Sequence, residues 1–220
     1  MHREAIPDSV WGLLLGLSRL RSIQSCYLAG GTALAIQLGH RVSGDLDFFL
    51  REGLDYDKVL ADLPALGMGV TVMSRTPAHC ELMLNSVKVD FIRERIRLQH
   101  PLKSLVVGPA IISMAHALDI GRLKLFTIAS RGSRKDFIDL YCLTREVIAL
   151  EDLVSLAMER QQNLRFNSLL FLKGLIDFEE ADQDVQPDLL WNISWDRVKE
   201  DLVREVRQLA EKLANLNPPS

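Results

Sequence analysis

The sequence predicts an α+β fold: a small mixed or antiparallel sheet with helices packed on it and a helical region toward the C-terminal end. Three observations carry this expectation. The stretch Tyr27 to Leu50, YLAGGTALAIQLGHRVSGDLDFFL, opens on a short apolar run, passes through Gly30-Gly31 into a helix-forming run, and ends in Asp45-Leu46-Asp47-Phe48-Phe49-Leu50, which reads as a strand. The runs Cys80 to Leu84 and Val87 to Ile92, joined through Asn85-Ser86, read as the two arms of a hairpin. From about His116 onward the apolar spacing is mostly helical. The expected division is a sheet-bearing core with an N-terminal helix over residues 1–110, and a helical region over 111–220 that packs on it.

Composition sets the outer bounds. A chain of 220 residues suits one domain, or one with a helical extension. With 48% hydrophobic and 25% charged residues it can build a sizeable core. A net charge of -3 argues against a general nucleic-acid coat, so local clusters of charge matter more than the total. No apolar run approaches the roughly 20 residues that span a bilayer, and no signal-peptide core precedes Pro7. A cytoplasmic protein without a membrane partner is expected. Cys26, Cys80 and Cys142 are widely spaced and read as small buried hydrophobes. The five histidines form no H-E-x-x-H pattern, so zinc is not expected.

Asp8-Ser9 offers a cap for a first helix running to about Ile23, with Val10, Leu14, Leu17 and Ile23 partly at helical spacing. Asp55 to Leu63 reads as a short helix stopped by Pro64 and Gly67, and Val70 to Met73 as a strand. Leu105-Val106-Val107 is one more short strand. A helix is expected from about His116 to Ser130, with Gly132 as a stop and Ser133 as the next cap. Glu151 to Gln161, Phe166 to Leu175 and Asp196 to Leu213 complete the helical part. Trp191 and Trp195 are placed to pack the last helix down.

The chemistry-bearing residues begin at Gly30-Gly31-Thr32. A strand ending in two glycines and opening a helix lets backbone approach a ligand closely. The free amides of the helix start then face an anion, and Thr32 adds a hydroxyl. Asp45 and Asp47 are two apart on a strand and share a face. Paired carboxylates repel unless something cationic sits between them, and their hard oxygens suit Mg²⁺ or Mn²⁺. An anion site followed by metal-binding carboxylates fits a nucleoside triphosphate bound with Mg²⁺. In the hairpin, Val87, Val89 and Phe91 take one face, while Asp90 shares the other with Lys88 and Ile92. A neighbouring strand thus brings a third carboxylate beside the first two.

Two basic stretches follow. Arg93, Arg95, Arg97, His100 and Lys103, against Glu94 alone, are either a solvated strand end and loop or a phosphate-contacting edge for RNA or the triphosphate. Arg122, Lys124, Arg131, Arg134 and Lys135 are either a solvated helix pair or a source of positive charge for phosphoryl transfer, with Lys124 the preferred contact. Ser133-x-x-Asp136 resembles a capping box, which gives Asp136 a structural role as an alternative. Asp139, one turn on, can share its face.

A glycine pair before a helix, then D-x-D, then a lone aspartate on a later strand resembles the nucleotidyltransferase superfamily of the DNA polymerase β type. More narrowly, GGTALAIQLGHRVSGDLDFF resembles the abortive-infection nucleotidyltransferase toxins of the AbiEii/AbiGii group, the toxin halves of type IV toxin–antitoxin pairs. The likeness continues in Asp119 to Lys124 and Arg131 to Tyr141, and spans roughly residues 25 to 145. One departure is Thr32, where the superfamily often carries serine after glycine; the hydroxyl is kept. The resemblance implies a polymerase-β-like core, completed by the helical region, that moves a nucleoside monophosphate from a triphosphate to an acceptor, the 3′ end of a tRNA or a protein side chain. It implies Asp45, Asp47 and Asp90 as metal-binding and catalytic residues and Lys124 as catalytic. It implies Gly30, Gly31, Thr32, Arg131, Lys135 and Asp136 as nucleotide-binding, and a cognate antitoxin as partner.

The same residues admit rival readings. A glycosyltransferase also uses D-x-D, but only 44 residues precede Asp45 and the Gly-Gly-Thr would go unexplained. A carboxylate nuclease would need no triphosphate cradle. A catalytically inactive binding or regulatory module is the alternative from another class; intact Asp45, Asp47 and Asp90 argue against it.

Overall fold

The computed structural model describes residues 1–50, 56–93, 97–158 and 168–216. Asp55, Glu94, Arg95 and parts of the helices expected at 151–161 and 166–175 lie outside them. The chain forms two compact units, Met1–Ile120 and Gly121–Ser220. The fold is α+β, as the sequence predicts.

The first unit is built on a sheet larger than the sequence suggested. Its strands are β1 (Cys26–Ala29), β2 (Leu46–Leu50), β3 (Val70–Arg75), β4 (His79–Leu84), β5 (Val87–Arg93), β6 (Lys103–Val107) and β7 (Ala110–Met114). They lie in the order β3-β4-β5-β2-β1-β7-β6. Pairing is mixed: β1 runs antiparallel to β2 but parallel to β7, and β2 runs parallel to β5. The hairpin turn is as expected, with Asn85 and Ser86 both at positive φ, the geometry of a two-residue turn that matches strand twist. Strand β7 went unread in the sequence. It pairs antiparallel with β6 through a tight turn at Gly108, whose φ is +59°.

One face of this sheet is core. Leu28, Phe48, Phe91, Cys80 and Met114 are all buried, and the Phe48 and Phe91 rings stack at 5.6 Å. Full burial of such a side chain contributes about 1.5–3 kcal/mol. The helix expected from Asp8 to Ile23 is in fact two, α1 (Asp8–Leu17) and α2 (Arg21–Gln24). The break falls at Ser18, whose hydroxyl bonds the Leu15 carbonyl, and Leu20, whose backbone is extended. Then come α3 (Gly30–Leu38) and α4 (Tyr56–Asp62).

Helix α5 (Ala117–Arg131) leads the chain into the second unit, which continues with α6 (Arg134–Glu146), α7 (Leu150–Met158), α8 (Ser168–Gly174) and α9 (Trp195–Leu216). Trp195 packs edge-on against Phe137 and Phe178 at 6.0 and 5.6 Å, and its indole N–H donates to Asp182 at 2.6 Å. The Tyr141 hydroxyl donates to the buried Asp201 at 3.0 Å, tying α6 to α9. Among the described residues, no helix is long and apolar enough to cross a membrane.

Candidate active site

The site in the first unit is set by strand register. Ala29 on β1 pairs with Asp47 on β2, Asp47 with Asp90 on β5, and Asp90 with Glu81 on β4. Paired residues on neighbouring strands project to the same side, so three carboxylates stand in a row on the face opposite the Phe48–Phe91 core. Asp45 lies just before β2, two residues from Asp47. The row ends at the β1–α3 turn, where Gly30 has φ +62°. A Cβ on Gly30 would fall 1.9 Å from Asp47 Oδ2. The glycine is therefore required twice, for its left-handed backbone and for the room Asp47 occupies.

Helix α3 starts at Gly30 with no side chain capping it. The amides of its first turn, Gly30 to Thr32, lack intrahelical acceptors, as at any helix start. Thr32 is buried, and its hydroxyl donates to the Asp45 carbonyl and lies 2.8 Å from the Ser43 hydroxyl. Its side chain thus fixes the segment that carries Asp45. Gly30→Ala is expected to cost about 1–3 kcal/mol through backbone strain and, by displacing Asp47, about 100-fold in activity. Gly67→Ala is the control: Gly67 has the same φ, but its added Cβ meets nothing within 4 Å. Equal losses of activity in the two variants would contradict the link between Gly30 and Asp47.

An ammonium and an imidazole already stand among the carboxylates. Lys88 Nζ lies 3.2 Å from Asp90 Oδ2 and 3.6 Å from Glu81 Oε2, and His79 Nε2 lies 2.6 Å from Asp90 Oδ1. Partial burial alone would lower the Lys88 pKa. The hydrogen bond and charge of Asp90, with Glu81 and Asp45 behind, outweigh that and raise it. Strand alternation within Val87 to Ile92 places Lys88 beside Asp90 but does not reach His79 and Glu81. The signal was available: a two-residue turn at Asn85-Ser86 sets Leu84 opposite Val87, and counting back sets Glu81 opposite Asp90.

In the second unit Lys124 is buried, with Nζ 2.6 Å from Asp136 Oδ1 and 2.7 Å from Asp139 Oδ2. Asp136 Oδ2 accepts from the Ser133 amide at 3.2 Å and the Ser133 hydroxyl at 2.6 Å. Burial opposes every charge here. For Lys124 the Asp139 and Asp136 carboxylates overcome it and raise the pKa; for Asp136, Lys124 and then Ser133 overcome it and lower the pKa. Asp136 thus joins the capping contact and the lysine contact through different oxygens.

The basic cluster around Lys124 is dispersed. Arg122 is buried, whereas Arg131 and Lys135 are exposed. Arg134 donates to the Ala181 and Asp182 carbonyls at 3.0 and 2.9 Å and lies over the Trp195 ring, so its role is structural.

Residues 12–68, which contain Gly30, Asp45 and Asp47, match the family model "Nucleotidyl transferase AbiEii toxin, Type IV TA system". An uncharacterized protein of Aquifex aeolicus is 33% identical over 202 residues, covering 89% of this chain and 94% of that one. The chain belongs to the AbiEii nucleotidyltransferase family. Solved structures agree on the fold. A putative nucleotidyltransferase from Helicobacter pylori has a TM-score of 0.58 at 17% identity, with all of both chains covered. MenT4, a nucleotidyltransferase toxin of Mycobacterium tuberculosis H37Rv, has a TM-score of 0.58 at 20% identity, covering 94% of this chain and 92% of MenT4.

For an AbiEii family member the donor set has the composition a divalent cation requires. Asp45, Asp47, Asp90 and Glu81 supply hard carboxylate oxygens. Ligand atoms of His79, Glu81 and Asp90 lie within 4.8 Å of one another. A cluster of carboxylates on one face of the sheet is the chemistry that binds Mg²⁺ or Mn²⁺.

Proposed function

We propose that this AbiEii family member transfers a nucleoside monophosphate from a nucleoside triphosphate to an acceptor hydroxyl, as the toxin of a type IV toxin–antitoxin pair in the cytoplasm. The observation that carries the reading is the in-register pairing of Asp47 with Asp90 beside a glycine that leaves room for nothing but the Asp47 carboxylate.

The uncapped amides of Gly30, Gly31 and Thr32 hold the β- and γ-phosphates. Asp45, Asp47 and Asp90 hold the divalent cation, with Thr32 fixing the Asp45 segment. When bound, that cation offsets negative charge on the phosphates. The acceptor oxygen attacks the α-phosphorus, a new O–P bond forms, and the α–β bridging bond breaks. The electron pair leaves on pyrophosphate. Asp90, oriented by His79 and Lys88, receives the acceptor's proton. In the second unit, Lys124 is assigned to the triphosphate's charge, and Asp139 and Asp136 keep it protonated against the effect of burial. Arg131, Lys135 and Asp136 are assigned to the nucleotide on the family resemblance.

The proposed acceptor is the 3′ end of a tRNA. Purified protein, Mg²⁺ and each α-labelled triphosphate in turn, incubated with total RNA and separately with cell protein, test this. Label in tRNA is the expected result. Label in protein alone overturns the acceptor and keeps the transfer chemistry. Co-expression with the product of each gene that flanks this one tests the antitoxin: the expected result is that one of them relieves growth inhibition.

A further inference from the structure

The Gly30 turn has a second flank, and its chemistry is the opposite of the first. On one side of β1 stand Asp47, Asp90 and Glu81. On the other side β7 runs parallel to β1, with Leu28 paired to Met114 and the Ala115 amide donating to the Leu28 carbonyl at 2.8 Å. The Ala115 carbonyl accepts from Gln37 of α3 at 3.1 Å. His116 is therefore carried to the strand end that holds Gly30. Lys103 on β6 pairs with Met114, which brings it to the same end.

Three side chains gather there. The His100 and His116 rings stack with centroids 4.9 Å apart. His116 accepts the Leu118 amide on Nδ1 at 3.2 Å, which leaves its proton on Nε2 as a donor. Lys103 is exposed and has no ion-pair partner among the described residues. Its charge is close enough to act on His116, whose pKa is lowered first by burial, then by Lys103 and His100, against Asp119. Asp119 is the one acidic group facing this cluster among the groups acting on His116, and it is turned to other work. It is buried and accepts the Gln99 and His100 amides at 2.9 Å each, with His100 Nδ1 at 3.3 Å.

We infer that Lys103 and His116, with His100 stacked behind, form a phosphate-binding subsite on the flank of the Gly30 turn away from Asp47. An ammonium without a carboxylate partner among the described residues, a fixed imidazole N–H and the uncapped amides of α3 all lie at one strand end, and together they suit phosphate oxygens. Those oxygens belong either to the tail of the nucleoside triphosphate or to the backbone of a nucleic-acid acceptor. The inference extends the transfer reading above, which supplies both sources.

The test follows the imidazole carbon-bound proton signals of His100 and His116 by NMR, assigned with His100→Gln and His116→Gln, while inorganic pyrophosphate or a short single-stranded RNA is added. The signals of His100 and His116 are expected to move saturably, those of His2 to stay, and Lys103→Ala to weaken binding about tenfold. Movement with pyrophosphate assigns the triphosphate tail; movement with RNA alone assigns the acceptor. If neither anion moves them, the subsite is overturned, and label transfer by the wild-type protein would leave the transfer reading standing. If they move and no label is transferred, the subsite stands and the transfer reading falls.

Discussion

Asp47→Asn is expected to lower nucleotide transfer by about 10³-fold or more, the scale of losing a group that organises charge in a phosphoryl-transfer site, while the protein stays folded. The substitution keeps shape and removes one charge. Asp47 stands between Ala29 and Asp90 in register and fills the space over Gly30, so asparagine fits without moving the turn. Stability is expected to hold or rise slightly, because one of several neighbouring like charges is gone. Thermal unfolding alongside the transfer assay checks both parts. A variant that keeps most of its activity would show that Asp47 does not organise the site.

Lys124→Met is expected to destabilise the second unit by about 3–5 kcal/mol, the cost of removing one partner from a buried ionic group. Asp139 is fully buried, and Lys124→Met takes from it and from Asp136 the ammonium that both contact. The loss depends on pH with a definite sign. The Asp136 pKa is held below its ordinary 3.8, so its contribution is present above that value and is lost as pH falls through the lowered pKa. The Lys124 pKa is raised above its ordinary 10.5, so its contribution is present below that value and is lost as pH rises through the raised pKa. The gap between wild type and Lys124→Met in urea unfolding is therefore widest at neutral pH. It shrinks in acid, where protonation relieves the stranded aspartates. Adding Asp136→Asn and Asp139→Asn to the variant should recover much of the loss at pH 7 but not transfer activity. A gap that does not change with pH would contradict the ionic account.

Much of the first unit's site was legible because local rules and register agree there. Gly30-Gly31 at a strand end, the i and i+2 spacing of Asp45 and Asp47, and the hairpin turn at Asn85-Ser86 each dictate geometry over a few residues. What those rules do not contain is which strand lies beside which. Strand β7 pairs in parallel with β1, more than eighty residues away along the chain, so nothing near Ala110–Met114 announces it. The break between α1 and α2 depends on one serine hydroxyl and one extended residue, finer than apolar spacing resolves. The residue type of Thr32 alone points to a ligand donor; its burial and its bond to the Asp45 carbonyl are tertiary facts. The dispersal of the Arg122–Lys135 charges has the same origin, since Arg134 is drawn to carbonyls nearly fifty residues on.

The central claim is a nucleotidyl transfer organised by Asp47, and parallel reactions with α-labelled and γ-labelled triphosphate test it most directly. The expected result is α-label in the acceptor and γ-label in released pyrophosphate, with both lost in Asp47→Asn. Gamma-label in the acceptor, or release of labelled inorganic phosphate with no α-label transferred, would contradict the account and identify phosphoryl transfer or hydrolysis instead.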